Sequence, residues 1–269
     1  MKNRLEMADV QSMPDDREIE IDKVGVKDVK YPIIVLDKVN GIQNTIASID
    51  MYVNLPHHYK GTHMSRFVEI LHENKNMINM KNFPDILKSL KDRLDAESAY
   101  MIIHFPYFIK KEAPVSKTQS YMEYPCGLWG SIDHSNTLKD FVASVSVPIN
   151  TLCPCSKEIS KYGAHNQRGI AKVDVKVRKF FWLEDLINSI EKCASSDIYS
   201  ILKREDEKHI TEKAYDNPKF VEDVVRDIAD MLSKDTNVKW FAVEAENFES
   251  IHNHSAYAYL ERNKEGGNL

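Results

Sequence analysis

One order of elements occurs twice along the chain: strand, strand, helix, helix, strand, strand. That repetition leaves few folds open. In the first half, Tyr31–Lys38 and Thr45–Leu55 read as strands, the second alternating Ala47, Ile49, Met51 and Val53 against a half-polar face. Phe67, Ile70 and Leu71 then fall at helical spacing, and Pro84 opens a second helix with Ile86, Leu87, Leu90 and Leu94 on one side. Ser98–Phe108 and Gln119–Ile132 are again strand-like. In the second half, Phe141–Ile149 and Gly169–Arg178 predict strands, and Leu183–Leu202 predicts a helix. Pro218 opens another helix, with Val221, Val224, Val225, Ile228 and Met231 on one face, before strands at Val238–Phe248 and Ser255–Glu261.

The halves share a pattern rather than residues. Two ββααββ units, 21–135 and 136–269, predict antiparallel sheets with helices on one face, an α+β class. The other sheet face is expected to be half solvated or covered by neighbouring subunits, and free edge strands favour a homo-oligomer. Residues 1–20 are charged and poor in large apolar groups, which predicts a flexible arm.

Composition excludes several classes. No apolar run approaches the ~20 residues of a membrane helix, and the polar N-terminus does not resemble a secretory signal. A cytoplasmic protein with four reduced cysteines is the expectation. The formal net charge of -5 gives no basic field for nucleic acid. Neither GxxxxGK[ST] nor GxGxxG occurs, and the nucleobase-deaminase signature is absent.

Ser144–Gly169 (SVSVPINTLCPCSKEISKYGAHNQRG) concentrates the chemistry. Two of the four cysteines, Cys153 and Cys155, flank a proline, and His165 follows between two predicted strands. Cys-Pro-Cys is too tight for a zinc knuckle, and the proline points the sulfurs apart. Two separate jobs follow, one metal ligand and one site thiol, against the plain alternative of two inert cysteines. Lys157, Lys161 and Arg168 make the loop locally basic, either as solvated charge or as a phosphate seat.

Two further polar stretches matter. Leu202–Asp223 joins the helices of the second half. It holds Glu207, a candidate oxygen ligand or base, and Glu222, in the first turn of the helix after Pro218. A carboxylate at Glu222 suits two N–H donors on a planar ligand edge, although the helix dipole alone favours an acid there. Glu244–His254 places Glu249 and His252 at a spacing fit for an acid/base pair, or for an ordinary polar hairpin loop.

These stretches carry a resemblance. TLCPCSKEISKYGAHNQRG is similar to the signature of the prokaryotic type IB GTP cyclohydrolases. The likeness extends to KVGVKDVKYPI, GTHMSRF, LKREDEKHITEKAYDNPKFVEDVVRD and ENFESIHNH, nearly the whole chain. It implies the tunnelling fold, two ββααββ units per chain in a homotetramer. It also implies conversion of GTP and water to formate and 7,8-dihydroneopterin triphosphate, the first step of tetrahydrofolate biosynthesis. By the same resemblance, Cys153, His165 and Glu207 hold a divalent metal, and Cys155 is a second, catalytic thiol. Glu222 anchors the guanine edge, and Glu249 and His252 complete the acid/base set. Mixed S/N/O ligands suit zinc, manganese or iron. Competing readings are an archaeal-type cyclohydrolase giving a cyclic phosphate, a 7-cyano-7-deazaguanine reductase-like enzyme, and a non-catalytic zinc-stabilised binding module.

Overall fold

The computed structural model describes residues 9–74 and 78–265. Residues 1–8 of the expected arm lie outside the described residues, and 9–20 contain turns but no regular element. Among the described residues the strands are β1 (Ile21–Asp37), β2 (Gly41–Leu55), β3 (Ala99–Glu112), β4 (Gln119–Ile132), β5 (Leu138–Leu152), β6 (Asn166–Val177), β7 (Val238–Phe248) and β8 (Ser255–Asn263). They hydrogen-bond in chain order as one eight-stranded sheet. The helices are α1 (Met64–Glu73), α2 (Phe83–Arg93), α3 (Pro154–Ile159), α4 (Leu183–Glu191), α5 (Arg204–Asp216) and α6 (Val221–Lys234). The expected α+β class with an antiparallel sheet is the fold found. No helix of the described residues is long and apolar enough to cross a membrane.

Contacts divide the chain into two compact units, Met1–His104 with Leu128–Phe141, and Phe105–Gly127 with Val142–Leu269. The far part of the β3–β4 hairpin therefore groups with the second unit, and the units do not part at a single point near residue 135. In the first unit, Ala47, Ile49, Met51 and Val53 of β2 are buried with Phe67, Ile70 and Leu71 of α1 and Ile86, Leu87 and Leu90 of α2. Ile46, on the opposite face of β2, is 63% exposed. In the second unit, Val145, Val147, Ala171, Val173, Phe241 and Val243 form the buried sheet face, and Ile187, Ile190, Val224, Val225 and Ile228 are the buried helix positions. Both sets follow the periods of 2 and 3.6 that pack a helix layer on one side of a pleated sheet.

The structure departs from the sequence reading in four places. β1 starts at Ile21 rather than Tyr31, because β2 pairs with its polar first half through two register shifts; hydrophobic alternation does not report that kind of pairing. The helix expected over Leu183–Leu202 ends at Glu191. The backbone then leaves the helix to bond β5, with Ser195 N donating to Asn150 O at 3.0 Å and a bridge between Asn150 and Ser196. The supposed link between two helices is itself largely the helix α5, whose buried residues are only Asp206 and Ala214. Met231 is half-buried, and Leu232 takes the core position instead.

Candidate active site

Every candidate site residue belongs to the second unit, and the end of β5 joins two of them. Leu152 pairs with Asn166 at the last rung of the β5–β6 ladder. Cys153 and His165 are therefore the next residues on each side, and Cys153 N donates to His165 O at 3.0 Å. The intervening loop is not irregular throughout. Pro154 fits the first turn of α3, where its missing N–H costs nothing. Cys153 is the N-cap, its Sγ accepting from Ser156 N at 3.4 Å. Ser156 Oγ donates to Cys153 O at 3.1 Å and accepts from His165 N at 3.2 Å. Gly163 makes the return turn at φ +100°, a backbone state that a side chain would strain. Cys153 is half-buried and Cys155 exposed, so the two sulfurs do occupy different surroundings.

The β7–β8 loop closes on the same spot. Ser250 Oγ lies 2.9 Å from His165 Nδ1, and Gln167 Nε2 donates to Glu249 Oε1 at 3.0 Å. His252 is exposed, and its ring stacks on His254 at 5.1 Å. Close packing at the base of this loop depends on Gly169. A Cβ there would meet Glu246 O at 2.5 Å and Asn247 Oδ1 at 2.6 Å.

Helices α5 and α6 carry the remaining carboxylates, and Glu207 is not gathered into one group with Cys153 and His165. Glu207 is exposed on the first turn of α5, beside the fully buried Asp206. The Asp206 carboxylate accepts from Ser116 Oγ (2.6 Å) and from the N–H groups of Val115 (2.8 Å), Ser116 (2.9 Å) and Lys203 (2.9 Å). Burial pushes its pKa up, but the Ser116 hydroxyl and these backbone donors hold it well below the usual carboxylate range. Glu222 is exposed at the start of α6. That start is tied to the cysteine loop, since Lys219 N donates to Leu152 O at 3.0 Å. Lys157 of α3 donates to Tyr215 O and lies over the Tyr215 ring at 4.3 Å.

The structure thus joins Cys153 to His165, and Glu249 and Ser250 to the β6 side of that pair. Among the described residues, no group of three or more His, Cys, Asp and Glu is placed to hold a metal ion. The thiol and imidazole are a fitting donor pair for zinc or iron, manganese calling for an added carboxylate, and the hydroxyl on Nδ1 is the kind of outer partner that metal-binding histidines have. The other two cysteines are structural: burial pushes the Cys126 thiol far up and the Cys193 thiol up to about 11. Sequence reasoning missed Ser156, Gln167 and Ser250, whose only signal was their position beside the candidate residues.

The fold defines a class. A hyperthermostable urate oxidase variant from Bacillus sp. superposes with a TM-score of 0.53 at 9% identity, over 91% of this chain and 99% of the other. The uricase of Arthrobacter globiformis gives 0.50 at 6% identity, over 92% and 95%. These likenesses mark the tunnelling fold and nothing of the chemistry. Sequence narrows the class. The type I GTP cyclohydrolase folE2 family matches residues 7–258. Among curated relatives, the GTP cyclohydrolase FolE2 of Syntrophobacter fumaroxidans is 60% identical over 96% of this chain and 100% of its own length. That of Syntrophotalea carbinolica is 58% identical over 95% of each, and that of Syntrophus aciditrophicus 57% over 95% and 100%. The chain belongs to the type I GTP cyclohydrolase folE2 family.

Proposed function

We propose that this chain opens the imidazole ring of GTP with water, releases C8 as formate and forms 7,8-dihydroneopterin triphosphate, the first step of tetrahydrofolate biosynthesis. The observation that carries this reading is the meeting of Cys153 and His165, closed by the 3.0 Å backbone bond, inside a chain matched by the family over residues 7–258.

The chemistry explains the residue types. C8 of guanine is a weak electrophile, and His252 strengthens it by giving a proton to N7. Glu249 takes a proton from the attacking water, and the C8–N9 bond breaks to leave a formamide. A second water cleaves the formamide to formate. The ribose then opens, rearranges to a ketone and condenses with the freed amine, returning one water. Cys155 serves these later proton transfers. Glu222 accepts from N1–H and the 2-amino group, so adenine, with an acceptor at N1, is refused.

Cys153, His165 and Glu207 are the residues we assign to a divalent metal, manganese or zinc. When bound, such a cation supplies Lewis acidity and lowers the pKa of water toward ~7. A homotetramer in the cytoplasm is the proposed working form. Support for assembly comes from Ile170, Phe248, Tyr257 and Tyr259, large side chains 39–59% exposed on the open sheet face of the second unit, where they alternate with Lys172, Glu244 and Glu246. The test is incubation with GTP and Mn²⁺ or Zn²⁺, assaying formate and a fluorescent pterin after oxidation. Product mass separates the linear triphosphate from a cyclic phosphate, and turnover without NADPH separates the reaction from nitrile reduction.

A further inference from the structure

The β7–β8 loop meets the start of β6 through two side-chain bonds, Ser250 with His165 and Glu249 with Gln167. His165 has its backbone fixed on both sides, its N–H on Ser156 Oγ and its carbonyl on Cys153 N. What remains free is the ring, and Ser250 Oγ meets it at Nδ1, 2.9 Å away. A neutral imidazole carries one N–H. With that proton on Nδ1, donated to Ser250 Oγ, the lone pair of Nε2 is left for a cation. Two residues along, Gln167 is 7% exposed, and its Nε2 donates to Glu249 Oε1 at 3.0 Å. The opposite amide orientation would set Gln167 Oε1 against the carboxylate, two acceptors face to face.

The surroundings of Gln167 are unusual for a core. Among the described residues, Thr151 Oγ1, Gln167 Oε1 and Asn247 Oδ1 are buried side-chain oxygens with no hydrogen-bond partner. Thr151 stands directly opposite Gln167, and Asn247 opposite Gly169, so all three share the buried side of neighbouring strands.

We propose that Ser250 and Gln167 are positioning residues: Ser250 fixes the tautomer and plane of His165, and Gln167 aims Glu249. The loop that carries the acid/base residues is thereby seated on the Cys153–His165 pair, and metal binding is coupled to placement of the base. These roles rest on the proposed cyclohydrolase site.

The test measures Zn²⁺ affinity of the full chain by chelator competition, and formate release from GTP, for wild type, Ser250→Ala, Ser250→Thr and Gln167→Ala. Ser250→Ala weakens Zn²⁺ binding about 10–100-fold, the usual cost of losing an outer-shell partner, and Ser250→Thr restores it. Gln167→Ala keeps Zn²⁺ affinity and KM for GTP within about threefold but lowers kcat at least tenfold, roughly 1.4 kcal/mol. Where Ser250→Ala does not fold, Ser250→Thr against Ser250→Val compares the same shape with and without the hydroxyl. Equal Zn²⁺ affinity with and without the hydroxyl overturns the role of Ser250, and unchanged kcat overturns that of Gln167. Formate release by the wild type judges the parent reading separately. A wild type that binds Zn²⁺ but releases no formate sinks the cyclohydrolase assignment, while the affinity comparison still decides Ser250.

Discussion

The amide of Lys219 donates to the carbonyl of Leu152 at 3.0 Å. That bond ties the approach to α6 to the residue just before Cys153. It brings the start of α6, and Glu222 three residues on, to the strand end that carries the thiol. Lys219 is locked in turn, its Nζ reaching Cys193 O at 3.0 Å and Asp227 Oδ2 at 2.5 Å. With Glu222 in its proposed role, this bond holds the guanine anchor in register with the cysteine loop.

Glu222→Gln replaces one acceptor by a donor facing the guanine N–H groups. Losing a hydrogen bond to a charged group costs about 1.5–3 kcal/mol, roughly 10- to 150-fold in GTP affinity. Metal content stays at the wild-type level. Equilibrium binding of a non-hydrolysed GTP analogue, with metal analysis alongside, checks both halves.

Gly169→Ala forces a methyl to within 2.5 Å of Glu246 O and 2.6 Å of Asn247 Oδ1. Both contacts are too close for carbon and oxygen, and one is backbone, so β6 and β7 must separate. Overpacking of this kind costs about 1–3 kcal/mol. It lies beside Gln167, so thermal unfolding and formate assays are expected to show a lower Tm together with reduced kcat.

Lys111 and Glu191 form a buried ion pair at 2.8 Å, with Tyr124 OH also donating to Glu191 at 2.6 Å. Lys111 Nζ further reaches Ile198 O at 3.0 Å, tethering the segment that leads into α5. Lys111→Met leaves a carboxylate buried with one donor fewer and is expected to cost about 3–5 kcal/mol. Denaturant unfolding measures it, and the double variant with Glu191→Gln, which removes the charge but keeps an acceptor for Tyr124, should recover much of the loss.

Asp206 gives the fold an acid sensitivity. Its carboxyl titrates below the ordinary range when folded, because the Ser116 and backbone donors outweigh the upward push of burial. The folded state therefore binds this proton less tightly than the unfolded chain. Its stabilisation is complete above the unfolded pKa of about 4 and is lost as pH falls through the depressed folded value. Asp206→Asn should be less stable at neutral pH and lose less stability between pH 5 and pH 3 than the wild type. Denaturant titrations across that interval decide it.

Much of the fold was legible in the chain, and so was the setting of Cys153 and His165 between two strands. The buried faces of β2 and α6 follow the simple periods, and the long motifs around Cys153 and His165 mark the candidate site. The polar elements were not legible. α5 buries only Asp206 and Ala214, and the first half of β1 owes its pairing to β2 rather than to its own apolar residues. Helix α3 is only six residues long and buries none of them, so no apolar period marks it. Ser250 and Gln167 escaped for a related reason. A serine and a glutamine have no signature of their own, and their work shows only when the partner atom 2.9 or 3.0 Å away is known.

The most direct measurement is formate released per GTP by the wild type and by Cys153→Ala, both supplied with Mn²⁺ or Zn²⁺ and both confirmed as folded. Wild type should release one formate for each pterin formed, and Cys153→Ala neither product. A Cys153→Ala protein that turns GTP over at the wild-type rate would contradict the placement of the chemistry at the end of β5.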